Sequence, residues 1–530
     1  MKLRILILLV LQFSFISCAR NVRERNESDK NCVVIKGRVE GDAKKFKNIK
    51  INFGHLFMVN PKINAIDTML SISKGGDFYF KSAPIDRPTR INIIPSAADM
   101  HPGNANYTNS LRNYLVEPGD SIFININLNN DLLVWEFSGK GAAKFEVKWE
   151  FQVFYHTSKK TFLNKQEPVN SWVEYYQNLF RTGDSLTSCF QHRLNRYRDR
   201  LSPQTFEVVQ ADFTGKLNFF YKNFWFVRNS YLTPENLMIL RKLYASISTE
   251  AMSNETMAQS MEMVNYLIYY EIMGALLDNP KDEDLYFQNI FNRKYAEICN
   301  LLQTHYDGPL REMLIMNYLL NNFTGDTTGW NNCAINSVSF IQSEPLKSIF
   351  EKLNNHQIKG SKGYDFSLPD AQGVYVDLHD FKGKVVYLEI WFTGCSGCIA
   401  LTKEIKEKLY PRFRNNKEIV FVTVCVDKDK QKWLHSLATE RYSSPDFVNL
   451  YTEGSGLKHP FANYYNVAAA PTTMVFDKQG NIFSSRPPKH GKMDALEELL
   501  MEAINFEPLK ADSSNSESDD LHIRQPDNQR

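Results

Sequence analysis

The stretch Val385–Cys398 has the sequence VVYLEIWFTGCSGC, in which two cysteines follow an apolar run. Its first seven residues have the pattern of a buried strand. Downstream, Leu401, Ile405 and Leu409 recur at four-residue steps, which predicts a helix that starts at the cysteines and is interrupted near Pro411. A strand that delivers two thiols to the first turn of a helix suits disulfide exchange, because one thiolate attacks and the second releases the product.

The helix start makes the two cysteines unequal. Backbone amides and the positive end of the helix dipole are expected to surround Cys395 and to stabilise its thiolate. Cys398 lies one turn further into the helix and is expected to be more buried. We therefore predict that Cys395 is the exposed nucleophile and that Cys398 is the resolving thiol.

Two other chemistries use a cysteine pair of this spacing. A zinc site needs a second Cys/Cys or His/His pair, and the nearest candidates, Cys425 and His459, are single residues, so no metal is expected. A static structural disulfide stays open, because an exported protein can oxidise a close cysteine pair. Cys425 lies in the apolar run 420–426 and is predicted to be a small core residue.

Two further segments extend the pattern around the cysteines. Residues 365–386 contain DFSLPD, Gly373 and VDLHDFKGKVV, and residues 470–482 read APTTMVFDKQGNI. Together with Trp391 and the cysteine pair, they resemble the thioredoxin-like thiol-disulfide oxidoreductases, specifically the membrane-tethered TlpA-like branch that includes cytochrome c maturation reductases. The resemblance implies an α/β thioredoxin fold and no cofactor beyond the redox-active Cys395/Cys398 disulfide.

The resemblance also implies roles for individual residues. Pro471 is expected to be a cis-proline that faces the redox pair and, with the backbone of Ala470, docks the substrate strand. Trp391 and Thr472 are expected to contribute to substrate docking. A plainer interpretation of Pro471 stays open, because prolines often begin strands.

The sequence departs from the family pattern in three ways. The dipeptide between the cysteines is Ser396-Gly397 and contains no proline, so the redox potential does not follow from the resemblance. Gly394 stands where an aromatic residue is common, which predicts a more open approach to Cys395. Leu401 replaces an acidic residue that the TlpA-like branch often carries.

Glu389 lies between the apolar residues Leu388 and Ile390 in the predicted strand. A buried carboxyl costs free energy unless it has a partner, and burial raises its pKa toward the range that suits proton transfer. Glu389 is therefore a candidate to take the proton of Cys398, at a position that resembles the buried acid of ordinary thioredoxins. The alternative is a solvent-side glutamate in an alternating strand.

The composition limits the function classes. Of 530 residues, 62 are basic and 60 acidic, for a formal net charge of +2, and 43% are hydrophobic. Because no basic stripe is apparent, no nucleic-acid partner is expected. The eight cysteines do not make a disulfide-dense scaffold in a chain of this length. Cys32, Cys189, Cys299 and Cys333 allow three pairings, and their spacing does not choose among them.

The first residues have the pattern of a secretory signal. A positively charged start precedes the apolar stretch Ile5–Ile16, which is shorter than the roughly 20 residues that span a bilayer. Phe15–Cys18 resembles a bacterial lipobox, which implies that Cys18 is lipidated and holds the protein at a membrane surface. Ala19 is not the aspartate associated with inner-membrane retention. The expected location is thus the periplasm-facing envelope of a Gram-negative bacterium, at the outer more than the inner membrane; simple secretion and an uncleaved anchor are the alternatives.

Changes in periodicity divide the rest of the chain. Alternation of Ile122, Ile124 and Ile126 with asparagines predicts strands, whereas Phe206 to Phe224 form a helical stripe that is either core or a binding groove. Ser253–Gln259 is predicted to be an inter-helical loop. The predicted organisation is a lipoprotein signal peptide at 1–17, a tether at 18–31, an accessory β-sandwich-like antiparallel domain at 32–141, an α-helical domain at 142–357, a thioredoxin-like domain at 358–506 and a disordered tail at 507–530.

These features predict an envelope thiol-disulfide oxidoreductase. It would reduce disulfides of exported proteins and be recharged by a membrane electron donor. The alternative is a membrane-anchored binding or scaffold lipoprotein whose thioredoxin-like domain is redox-inactive.

Overall fold

The computed structural model divides into two compact units, Met1–Ser361 with Leu457–Ala469, and Lys362–Gly456 with Ala470–Arg530. The described residues are 31–41, 46–54, 66–97, 110–129, 132–164, 171–223, 233–247, 252–278, 295–320, 327–465, 467 and 469–507. The predicted signal peptide, almost all of the tether, the lipidation site Cys18 and the predicted tail beyond residue 507 lie outside them. None of the described helices is both long and apolar enough to cross a membrane.

The first unit begins with two four-stranded sheets whose buried side chains form one core. The sheet orders are β4-β1-β7-β8 and β3-β2-β5-β6, and the strand pairs are antiparallel except for the parallel pair β1/β7. Ile122, Ile124 and Ile126 are buried as the alternation predicted, whereas Phe123 is exposed. The strands are β1 Cys32–Val39, β2 Phe46–Phe53, β3 Ile66–Ser71, β4 Asp77–Pro84, β5 Thr89–Ala97, β6 Leu111–Val116, β7 Ser121–Asn129 and β8 Leu132–Lys140.

The rest of this unit is helical, and the predicted aromatic stripe lies in its core. Phe206, Phe213 and Leu217 are buried, which favours the core interpretation over a groove. Phe224 lies outside the described residues. The helices are α1 Ala142–Asn164, α2 Trp172–Leu194, α3 Pro203–Tyr221, α4 Pro234–Ala245, α5 Asn254–Gln259, α6 Met261–Asp278, α7 Tyr295–Thr304, α8 Gly308–Leu320, α9 Thr327–Asn336 and α10 Leu346–Gln357, with a 3-10 turn at Asn195–Arg200.

The predicted loop Ser253–Gln259 is wrong. The structure has a short helix there, α5, and the Ser253 hydroxyl accepts a hydrogen bond from the Thr256 amide at its start. A serine in this position satisfies an amide that a helix start otherwise leaves unpaired. Ser253 is therefore a helix cap that the loop prediction overlooked.

A buried ionic cluster joins the sheets to the helices. The Arg90 guanidinium of β5 donates to the Asp212 carboxylate of α3 at 2.6 Å, and the Ser260 hydroxyl donates to the same carboxylate at 2.8 Å. The Lys148 ammonium lies 3.6 Å from Asp212. Burial by itself would raise the pKa of Asp212, but Arg90 and Lys148 hold that pKa below its ordinary value. Asp212 is thus kept ionised between two cations of the same unit.

The second unit contains a five-stranded sheet of order β13-β12-β11-β14-β15. Strands β11, β12 and β13 are parallel to one another, β14 is antiparallel to β11, and β15 is antiparallel to β14. A hairpin of β9 and β10 precedes it. This strand order confirms the predicted thioredoxin fold. The elements are β9 Ser367–Pro369, β10 Tyr375–Asp377, β11 Val385–Trp391, α11 Ser396–Glu404, α12 Tyr410–Phe413, β12 Ile419–Cys425, α13 Lys430–Ala438, β13 Val448–Tyr451, α14 Pro460–Tyr464 (grouped with the first unit), β14 Thr472–Phe476, β15 Ile482–Ser484 and α15 Met493–Asn505, with 3-10 turns at Leu378–Phe381 and Gly456–Lys458.

Pro411 interrupts the helix after the cysteines without ending it. Between α11 and α12 the chain forms a wider π-helical turn, Ile405–Leu409. Proline has no N–H to donate and crowds the turn before it, so the regular helix gives way there and resumes afterwards. Leu401, Ile405 and Leu409 are all buried, which confirms the predicted apolar face.

Candidate active site

The two cysteines lie where β11 meets α11, and their sulfurs form a disulfide of 2.09 Å. Cys395 is the N-cap residue of α11, and the Cys398 amide donates to Cys395 Sγ at 3.0 Å. An amide and the positive helix end at this sulfur favour a negative charge on it. The geometry therefore stabilises a thiolate at Cys395 after reduction.

The exposure of the pair differs in part from the prediction. Cys395 retains 6% of its surface and Cys398 none, so Cys398 is the more buried of the two. Cys395 is nevertheless a mostly buried residue in the disulfide state, and the description of it as exposed is wrong for this state. Gly394 has a positive φ of 99°, and no atom lies within 4 Å of the place where its Cβ would be, so the approach beside it is open.

Side chains distant in sequence hold the turn before Cys395. The Thr393 amide and hydroxyl donate to the Asp427 carboxylate, the hydroxyl at 2.5 Å. The Gly394 amide donates to the Tyr442 hydroxyl at 2.9 Å. Sequence reasoning missed Asp427 and Tyr442, although Asp427 directly follows the apolar run 420–426 and parallel strands bring their carboxyl ends to one edge.

Trp391 does not have the predicted docking role. Its side chain is fully buried, and its ring stacks on Tyr442 with centroids 5.0 Å apart. A side chain with no exposed surface supports the site from within but cannot contact a docked substrate. Whether Trp391 can contact a substrate depends on the direction of its side chain at the end of β11, and not on its spacing from the cysteines.

The Ala470–Pro471 loop lies beside the redox pair. Its peptide bond is cis, and the Ala470 carbonyl oxygen is 3.5 Å from Cys395 Sγ. A Cβ atom at Gly397 would lie 3.3 Å from Pro471 Cδ, so the glycine of the unusual Ser-Gly dipeptide leaves room for the proline. Thr472 is partly buried at the start of β14, opposite Ile390. The structure thus brings Ala470 and Pro471 to the cysteines; their docking role and that of Thr472 stay predictions.

Glu389 is buried in the central strand, so the solvent-side alternative is wrong. It pairs with Thr423 on one neighbouring strand and Thr473 on the other and retains 2% of its surface. Its Oε1 atom has no hydrogen-bond partner among the described residues. Burial raises the pKa of Glu389 to about 8, against a smaller opposing effect of the Lys489 charge. This carboxyl can exchange a proton near neutral pH.

Cys425 is fully buried and packs in one cluster with Trp391, Trp433 and the redox pair. Burial raises the pKa of its thiol far above the ordinary value. Cys425 is the core residue that the sequence predicted, and its burial disfavours the thiolate.

The sheet order, the cysteine pair at the start of α11 and the proline loop beside it together define a thioredoxin-like thiol-disulfide oxidoreductase. A family model described as thioredoxin-like matches residues 383–482. The match covers the cysteines, the buried acid and the proline loop.

Two curated relatives carry names that agree with this class. The chain is 26% identical over 149 residues to the thiol-disulfide oxidoreductase ResA of Bacillus thuringiensis subsp. konkukian, a match that covers 27% of this chain and 76% of the relative. It is 32% identical over 132 residues to ResA of Geobacillus kaustophilus, covering 23% and 66%. A solved structure of a putative thiol-disulfide oxidoreductase from Bacteroides vulgatus is 26% identical, covers 28% of this chain and 97% of its own, and has a TM-score of 0.24.

Proposed function

We propose that this chain reduces disulfides of exported proteins in the cell envelope by dithiol–disulfide exchange through Cys395 and Cys398. The observation that carries this proposal is the position of Cys395 Sγ at the N-cap of α11, 3.0 Å from the Cys398 amide. A thiolate is the nucleophile of disulfide exchange, and this position lowers the free energy of the thiolate relative to the thiol.

The reaction uses both cysteines in a fixed order. The Cys395 thiolate attacks one sulfur of the substrate disulfide, which forms a mixed disulfide and releases one substrate thiolate that takes a proton from solvent. Cys398 then gives its proton to the Glu389 carboxylate and attacks Cys395 Sγ. The bond between Cys395 and the substrate breaks, and the second substrate thiolate leaves and is protonated. Two electrons have passed to the substrate, and the enzyme pair is a disulfide.

Substrate docking is assigned to the loop beside the cysteines. The Ala470 carbonyl faces Cys395 Sγ, and Pro471 has no N–H of its own to donate. An extended substrate segment that pairs with this loop would bring its disulfide to Cys395. Ala470 and Pro471 are also only partly buried, which leaves this loop accessible.

The cellular location is part of the proposal. A nearly fully buried disulfide joins Cys299 to Cys333 in the first unit, and such bonds persist in oxidising compartments. The signal-like start and Cys18 support lipid anchoring at a membrane surface that faces the periplasm. Because each turnover oxidises the pair, a membrane donor of two electrons is the proposed source of reducing power.

The order of the cysteines gives the test. We expect Cys398→Ser to accumulate covalent complexes with envelope proteins, because the mixed disulfide on Cys395 cannot be resolved. Cys395→Ser should capture almost none. The measurement is affinity isolation from intact envelopes, followed by electrophoresis with and without reductant.

The control addresses the exposed thiol of Cys189, which lies in the first unit. A Cys395→Ser/Cys398→Ser double variant retains Cys189 and should capture nothing above background. Two outcomes would favour the redox-inactive binding module over the enzyme mechanism. The first is equal capture by all three variants. The second is no capture by any variant, together with no turnover of a test disulfide by the wild type. The reduction potential of the pair tests the direction: a reductant should lie nearer thioredoxin, at about −270 mV, than a strong oxidant at about −120 mV.

A further inference from the structure

The loop between β15 and α15 brings a cation to the redox site. The Lys489 ammonium donates to the Pro471 carbonyl oxygen at 3.1 Å. The next residue, His490, lies close as well, because a Cβ atom at Gly397 would be 4.0 Å from its Nε2 atom. The loop therefore contacts the proline loop and lies close to the first turn of α11.

Lys489 also acts on Glu389 through its charge. The positive charge lowers the pKa of Glu389, which burial raises. Glu389 in turn raises the pKa of Lys489. Burial and the charge of Arg486 lower that pKa more strongly, so the pKa of Lys489 is about 8. Glu389 Oε1 has no hydrogen-bond partner among the described residues, and the charge of Lys489 acts on this carboxyl through the low-dielectric interior.

Other ionisable groups near this pair lie on three elements. Arg486 and His490 are on the same loop as Lys489, Tyr387 is on β11, and Glu404 at the end of α11 accepts a hydrogen bond from the Gly491 amide. Tyr387 stays neutral because burial raises the pKa of its hydroxyl well above the ordinary value. Lys489 is the cation whose charge reaches Glu389.

Resting on the proposed function, we propose that Lys489 is a positioning residue for the resolving step: its ammonium holds the Pro471 carbonyl, and its positive charge favours the ionised form of Glu389 that accepts the Cys398 proton. A protonated Glu389 cannot accept a further proton. Removal of the cation favours the neutral carboxyl and thereby slows the deprotonation of Cys398.

The test isolates the resolving step. Fully reduced protein is mixed with one equivalent of an aromatic disulfide that releases a coloured thiolate, and release of the second thiolate is followed by stopped flow between about pH 5.5 and pH 9. In the wild type, this rate should rise with pH as Glu389 ionises. In Lys489→Met, the rise should move to higher pH by roughly 0.5–1 unit, and the rate at neutral pH should fall several-fold.

Further variants separate the effect of the Lys489 charge from the effect of its packing. Lys489→Arg keeps the cation and should restore the wild-type profile, whereas Lys489→Gln keeps a hydrogen-bond donor without the charge and should shift like Lys489→Met. The exposed Lys492 lies in the same loop, so Lys492→Met removes one charge there and should leave the profile unchanged. Glu389→Gln should abolish the pH-dependent rise, and adding Lys489→Met to it should change nothing more.

The outcomes are distinct. A folded Lys489→Met or Lys489→Gln protein with the wild-type profile overturns the inference, as does the same shift in the Glu389→Gln background. Titration of the Glu389 carboxyl by carbon-13 NMR in Lys489→Gln should show a raised pKa, and an unchanged pKa also overturns it. Failure of the wild type to release a second thiolate at any pH instead removes the proposed function.

Discussion

At the residue scale, Glu389 couples the stability of the second unit to pH. The folded protein raises the pKa of this buried carboxyl from 4.5 to about 8, so between these values the folded state holds a proton that the unfolded state has lost. The stabilisation from the neutral acid is complete below pH 4.5 and disappears as pH rises through 8.

Replacement of Glu389 by Gln should remove this pH dependence, because an amide of similar size does not ionise. Relative to Glu389→Gln, the wild type should lose stability between pH 5 and pH 8, by at most about 4 kcal/mol in the free energy of unfolding. Urea denaturation of the oxidised proteins at both pH values measures this. The exposed Glu407, replaced by Gln, is the control. Parallel profiles of wild type and Glu389→Gln would contradict the assigned pKa.

At the element scale, helices α7 and α9 are joined by the Cys299–Cys333 disulfide, which closes a loop with a sequence separation of 34 residues. Both cysteines are buried in the helical core. A cross-link of this loop length restricts the unfolded chain and typically contributes about 3–4 kcal/mol.

The double variant Cys299→Ala/Cys333→Ala should therefore lower the urea midpoint of the first unit while disulfide reduction by the second unit continues. The exposed Cys189 gives the matched control, because Cys189→Ala removes a thiol without removing a cross-link. Unfolding and turnover are measured on the same preparations. A midpoint equal to that of the control would show that the bond does not restrain this unit.

At the scale of the whole molecule, attachment to a membrane is predicted to depend on Cys18. The apolar segment before it is too short to remain as a span, so acyl chains on Cys18 are the expected anchor. Cys18→Ser should lose fatty-acid labelling and appear in the soluble fraction or as a precursor.

Metabolic labelling with a fatty acid, followed by fractionation of the envelope, measures this. Cys189→Ser should keep both label and membrane attachment, since it leaves Cys18 in place. Persistent labelling of the Cys18→Ser protein would place the acyl group elsewhere and remove the lipobox interpretation.

The sequence by itself determined the local features of this protein. The apolar run 385–391 predicted β11, and the leucine and isoleucine residues at four-residue steps after Cys398 predicted the helix that follows. Both patterns depend only on residues that are close together in the sequence. The cysteine pair was recognised from its spacing at the end of this run, and Ala470 and Pro471 from the resemblance to the thioredoxin-like oxidoreductases. Ser253 was missed because one capping hydrogen bond decides between a short helix and a loop.

Only the tertiary structure decided which distant groups complete the site. Asp427, Tyr442 and Lys489 come from three later segments, and their contacts depend on how the sheet brings its edges and loops together. The burial of Trp391 and of Glu389 likewise depends on neighbours on both sides of β11. Desolvation and charge act through space and not along the chain, so sequence spacing alone could not assign the pKa of Glu389 or the cation that opposes its rise.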